Sequence, residues 1–171
     1  MERYHLAKLV EWAGTLRTRK RLQKVAFLLQ AAGCPLNAHF VLHKYGPYSF
    51  DVASLVDEMH AADLFDEREE DNYAGRAFNY ELSPKGRSWL REMESGSAGK
   101  RQAKDFSAWK DQALTLLAVD VKELEVAATI LAFKRNSKDW DQALDKACRF
   151  KRLDPKEALA QKALELARET V

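Results

Sequence analysis

A chain of 171 residues, 46% hydrophobic and 32% charged, with 28 Lys and Arg against 26 Asp and Glu, has the make-up of a soluble globular protein. At about 150 residues per domain the length fits one domain or two small ones sharing a core, which excludes a large two-domain enzyme. No window reaches the roughly 18 apolar residues of a membrane span, and Met1-Glu2-Arg3-Tyr4-His5 opens no signal-peptide stretch, so a cytoplasmic location is expected.

Leu6, Leu9, Val10 and Ala13 recur at helical spacing, and Gly14 ends that first helix. Thr18 is placed to cap a second helix with Leu22, Val25, Ala26 and Leu29 on one face and Gly33 as its stop. Cys34-Pro35-Leu36-Asn37 reads as a turn and Phe40–Tyr45 as a short extended piece closed by Gly46-Pro47. Ser49 then caps a third helix carrying Val52, Leu55, Val56 and Met59. Asp66–Arg76 reads as a charged hairpin tip, and Phe78-Asn79-Tyr80-Glu81-Leu82 alternates as a return strand should. Ser83-Pro84, a cap followed by a first-turn proline, starts the next helix, through Trp89 and Leu90. Three helices, a β-hairpin and a helix make the plan of a winged helix-turn-helix.

Glu94–Lys100 is small and polar and predicts a flexible linker. Beyond it, Phe106, Trp109, Ala113 and Leu117 begin a helix, Asp120 caps one containing Leu124, Ala127, Ala128 and Leu131, and Ser137 caps one containing Trp140, Leu144, Ala147 and Cys148. Asp154-Pro155 opens the last, with Leu159, Ala163 and Leu166. The expected fold is therefore mainly α with a small β-hairpin: a winged-helix-like part over 1–94, a linker over 95–103, and a helical bundle over 104–171. The second part has stripes too short to bury much alone and is expected to pack on the first.

Several strings, in order, resemble a bacterial family. Arg21–Leu29, Tyr45-Gly46-Pro47-Tyr48-Ser49, Leu82-Ser83-Pro84-Lys85-Gly86 and Leu124–Ile130 together look like the YwgA-like proteins and, more distantly, the Panacea (SocA-like) antitoxin domain. The resemblance covers roughly positions 3 to 168. It implies a winged-helix-like core without known catalytic residues, and for Panacea domains an antitoxin role exercised on a toxin partner. Before Gly46-Pro47 the chain reads Phe40-Val41-Leu42-His43-Lys44-Tyr45, without the acidic and tryptophan residues of the antitoxin group.

The small net charge of +2 hides a segregation. Positions 1–47 hold eight basic and two acidic residues, 48–72 one basic and nine acidic, 73–104 seven basic and three acidic, and 105–171 twelve of each. Such blocks create local potentials that attract different partners. Arg17, Arg19, Lys20, Arg21 and Lys24, at the start of the second helix, are candidate phosphate contacts, with Arg76, Lys85 and Arg87 beyond the wing; a solvated face of ion pairs is the alternative. The third helix, where a winged helix reads the major groove, carries Asp51, Asp57, Glu58 and Asp63 with no Lys or Arg, and the wing carries Asp66, Glu67, Glu69, Glu70 and Asp71. Phosphates would repel both.

Two functions stay open: a regulator binding DNA through the basic run in a non-standard orientation, or a protein-interaction module of antitoxin or phage-defence type that presents Asp51, Asp57, Glu58, Glu67, Glu69 and Glu70 to a basic partner. Tyr45, Gly46, Pro47 and Tyr48 are expected as a structural turn, with Tyr45, Tyr48 and Phe50 packed at the base of the third helix; an aromatic stacking platform is the alternative. Trp12, Trp89, Trp109 and Trp140 read as core packing. Cys34 and Cys148 read as buried thiols and His39 and His43 as a poor metal pair. No glycine-rich phosphate loop, nucleophile elbow or zinc motif occurs, so neither catalysis nor a cofactor is expected. The C-terminal helices are the natural surface for a homodimer.

Overall fold

The computed structural model describes residues 1–72 and 75–171, and the side chains of Asp71, Asn72 and Gly75 are not among those described. The first helix, α1 (Arg3–Ala13), buries Leu6, Leu9 and Val10 and also Tyr4, His5 and Ala7. A two-residue strand, β1 (Leu16–Arg17), follows it, too short to announce itself by alternation. Thr18 caps α2 (Arg19–Ala31) by accepting from the Arg21 amide, as its sequence position indicates. Next comes a small hairpin of β2 (Val41–His43) and β3 (Gly46–Tyr48), in which Gly46-Pro47 belongs to the strand rather than closing it. Ser49 caps α3 (Phe50–Ala61) through the Val52 amide.

Strands β4 (Phe65–Asn72) and β5 (Gly75–Leu82) pair in register from Phe65 opposite Leu82 to Asn72 opposite Gly75. The charged stretch expected as a tip is thus mostly strand; its turn residues, Tyr73 and Ala74, lie outside the described residues, as does the side chain of Asp71. β1 pairs with the other edge of β5, Leu16 opposite Tyr80, giving an antiparallel sheet of order β1-β5-β4. Ser83 and Pro84 open α4 (Pro84–Ser95).

The expected linker is a correction. Only Gly96 separates α4 from α5 (Ser97–Ser107). Gly99 serves close approach here, not flexibility: a Cβ at that position would clash with the Met93 carbonyl oxygen, so α5 packs tightly on the end of α4. Phe106 then fixes α5 to α1 by stacking on Trp12, centroids 5.0 Å apart. The helix expected from Phe106 onward is broken there, and α6 (Lys110–Ala118) is separate.

Asp120 caps α7 (Val121–Lys134) as expected. Ser137 does not cap α8 (Trp140–Lys151), because its hydroxyl donates back to the Phe133 carbonyl; Asp139 accepts from the Gln142 amide instead. Asp154 likewise forms a turn, its side chain accepting from the Lys156 amide, and α9 (Ala158–Thr170) begins after it. Among the described residues the protein is mainly helical with a small antiparallel sheet.

One contiguous apolar core runs from Tyr4 to Ala167. At its centre α7 is buried on nearly every side, Val126 to Leu131 without interruption, because α2, β3, α8 and α9 all pack against it. Trp12, Trp89, Trp109 and Trp140 are partly buried against that core. Cys34 and Cys148 are free, buried thiols, and burial pushes Cys34 up to about 12. No helix among the described residues is long and apolar enough to cross a membrane.

Candidate interaction surface

Helix α2 begins with most of the basic run; the fold buries Lys24, half-buries Arg19 and Arg21, and leaves Arg17 and Lys20 exposed. Lys24 is 1% exposed; its ammonium donates to the Pro47 carbonyl at 2.6 Å, and burial pushes its pKa down to about 8. Arg21 donates to the carbonyls of Leu117 and Val119, closing the end of α6. Arg19 meets Asp57 at 2.8 Å and Glu67 at 3.3 Å, and its Nε donates to the Tyr80 hydroxyl. Burial opposes its charge, but Tyr80 and Asp57 outweigh that and hold its pKa above the ordinary value. Lys20 pairs with Glu125 at 2.9 Å, and Lys151 holds the other oxygen of the same carboxylate. Burial works against the Glu125 charge, yet Lys151 and Lys20 hold its pKa below the usual carboxylate range. Arg17 is exposed on β1, beside a cleft of about 240 Å³ near Arg21 and Leu117.

The remaining candidate cations are also engaged. Arg76 pairs with Glu69 at 2.9 Å, Lys85 donates to the Ala62 carbonyl, and Arg87 donates to the Leu82 carbonyl. Sequence blocks of opposite sign therefore meet: Arg19 with Asp57 and Glu67, Arg3 with Glu58. Arg19, Lys20 and Arg76 do share one cleft of about 520 Å³ with Tyr45 and Phe78, each with a carboxylate partner already in place.

Of the acidic set, Asp51 is exposed and accepts only a 3.3 Å bond from the His39 amide, and Asp57 and Glu58 remain more than half exposed despite their ion pairs. Asp66 is exposed, and Glu70 accepts from Asn79. Glu67, turned toward Arg19 and Tyr80, is mostly covered.

The hairpin is where the expectation fails most informatively. Gly46 and Pro47, strand residues rather than the expected turn, are buried against α2 and α7. Two of the three aromatics expected to pack with them do not: Phe50 is 68% and Tyr45 48% exposed, Tyr48 is half-buried, and Val41 and Leu42 beside them are 40% and 45% exposed. Tyr48 bridges the group, 5.1 Å from Phe50 and 5.8 Å from His43. Lys20 and Lys44 lie over the Tyr45 ring at 4.9 and 4.8 Å. Only Gly46 and Pro47 of the hairpin are seated on the core, Gly46 close against Thr129 and Glu125 of α7, while β2 and the Lys44-Tyr45 turn are exposed. In the sequence nothing marked this surface, because a continuous apolar run such as Phe40-Val41-Leu42 reads as a buried strand.

Among the described residues no cluster of three or more His, Cys, Asp or Glu has the arrangement to hold a metal ion. Comparison with known proteins finds no family model and no curated protein that matches this chain.

Proposed function

We propose that the chain is a non-catalytic recognition module of winged-helix type, in which α1 to α3 and the β4–β5 hairpin form the winged part and α6 to α9 a supporting bundle, and that it binds a basic protein partner. The observation that carries this is the exposed group Val41, Leu42, Tyr45 and Phe50, with Asp51 and the carboxylates of α3 continuing from it. Contiguous exposed apolar side chains rimmed by charge mark protein interfaces, and aromatic residues supply most of the energy at such sites. The more distant resemblance to Panacea antitoxin domains implies a protein partner, while Phe40–Tyr45 lacks the acidic and tryptophan residues of that group.

DNA binding is the weaker reading. Phosphates would have to displace Asp57, Glu67, Glu69 and Glu125 from Arg19, Arg76 and Lys20, Lys24 is buried on the Pro47 carbonyl, and Arg21 is half-buried with one guanidinium nitrogen already on two carbonyls, which leaves exposed Arg17 to make the first contact. Photocrosslinking from position 50, with position 162 on the far helix as control, tests the proposal in the producing cells. A discrete, basic protein adduct is expected from position 50 and lost in a Leu42→Ser, Asp51→Lys variant whose circular dichroism is unchanged. Retention of generic duplex DNA at low salt, abolished by Arg19→Ala with Lys20→Ala, would replace this reading with the nucleic-acid one.

A further inference from the structure

A cleft of about 870 Å³ lies away from the hairpin, where the start of α1, the end of α4 and the length of α5 meet. Its size falls within the range of small-molecule sites. Its construction is rigid: Gly99 seats α5 on Met93, and Phe106 anchors α5 into Tyr4, His5 and Trp12.

His5 forms part of the wall and is 8% exposed, its ring 4.7 Å from Phe106. Its Nδ1 accepts from the Glu2 backbone amide at 3.4 Å, which leaves the proton on Nε2. Burial lowers its pKa, so the ring is neutral around pH 7. Among the described residues nothing accepts from Nε2, and the atom is not sealed from solvent. A ligand oxygen entering the cleft takes the place of water at this N–H. The same cleft is lined by three carboxylates, Glu2, Glu92 and Asp105, and one guanidinium, Arg101, and the N-terminal ammonium of the chain lies within electrostatic reach of His5. Glu2 is steadied by Gln102, whose amide donates to it at 2.8 Å. The remaining wall is apolar or small: Pro35, Met93, Ala98 and Phe106.

We propose that this cleft binds a primary ammonium whose neighbouring carbon carries a carbonyl group, the chemistry shared by amino-acid amides and by the free N-terminus of a polypeptide. The carboxylates take the ammonium, His5 Nε2–H donates to the carbonyl oxygen, and Met93 and Phe106 face the first side chain. No step of this depends on the hairpin surface.

The test uses the full chain, ¹⁵N-labelled, titrated with L-leucinamide, N-acetyl-L-leucinamide and Leu-Gly-Gly. Leucinamide is expected to give saturable amide shifts confined to Glu2–His5 and Ser95–Phe106, with the acetylated compound at least about tenfold weaker because it lacks the charge. Glu92→Gln with Asp105→Asn, two exposed positions, should weaken leucinamide by a similar factor with the fold intact, and His5→Phe should remove the preference for a carbonyl-bearing amine over isoamylamine. Tighter binding of Leu-Gly-Gly identifies a polypeptide N-terminus as the source, and tighter binding of leucinamide a free amine. Absence of saturable shifts, or equal binding of the acetylated compound, overturns the proposal.

Discussion

Lys24 is a cation held almost without water, and its chemistry makes a prediction that needs no partner. Its folded pKa, about 8, lies below the ordinary lysine value, so between those two values the unfolded chain binds more protons than the folded one. The sign follows: this contribution to stability is complete above the unfolded pKa and is lost as pH falls through about 8. Urea titrations of the wild type and of Lys24→Met at pH 8, 9 and 10 should show the wild type gaining on the variant with rising pH, by at most about 1.4 kcal/mol per unit. A difference that stays flat with pH would mean the amine is hydrated in the folded state.

The same residue shows what a single sequence conveys and what it withholds. Leu22, Val25, Ala26 and Leu29 marked one buried face of α2 correctly. Gln23 and Lys24 lie off that stripe and are nevertheless buried, because β3 and α7 close over the other side of the helix. Each is made tolerable by partners remote in sequence: the Gln23 amide exchanges two hydrogen bonds with the Ser49 backbone, and Lys24 donates to Pro47. Charge is written in the sequence, but the side of the helix that a later segment covers is not.

At the scale of elements, two glycines decide how helices and strands sit on each other. Gly46 has φ +84°, and a Cβ there would lie 2.6 Å from Thr129 Oγ1 and 3.4 Å from the Glu125 carbonyl oxygen. Gly46→Ala therefore meets backbone strain and a clash at once, and should cost about 2 kcal/mol or more in a chemical denaturation curve. If it costs no more than a surface substitution, the hairpin is not seated on α7 as described. Gly99→Ala is expected to loosen α5 from α4, read as faster amide exchange over 97–107, whereas Gly96→Ala, with nothing within 4 Å of the added carbon, should leave both exchange and stability unchanged. The run Glu94–Lys100 looked like a linker because composition cannot distinguish glycine used for freedom from glycine used for contact. The caps at Thr18, Ser49, Ser83 and Asp120 were legible, since a side chain three residues from the amide it accepts is a local event.

Across the whole molecule, the deciding feature is the ion cluster that ties α2 to α7 and α8. Glu125 is 15% exposed on its side chain and stands between Lys20 and Lys151, with Lys24 within electrostatic reach. Lys151 also donates to the Lys44 carbonyl in the hairpin turn, and Arg21 clamps the end of α6. These links join segments up to about a hundred residues apart, and the apolar core beneath them is continuous. Thermal and urea unfolding should therefore show one transition, with far-ultraviolet circular dichroism superimposing on tryptophan fluorescence, which reports from Trp12 and Trp89 in one half and Trp109 and Trp140 in the other. Glu125→Gln removes the counter-charge of Lys151, whose side chain is only 8% exposed, beside buried Lys24, and should move that single transition down by about 3 kcal/mol. Lys20→Met removes a cation that is 42% exposed and whose attraction water already screens, so it should cost less than about 1 kcal/mol. Two separated transitions, or a Glu125→Gln effect confined to the fluorescence of one half, would show instead that the parts before and after α5 fold independently and that the cluster joins them only loosely.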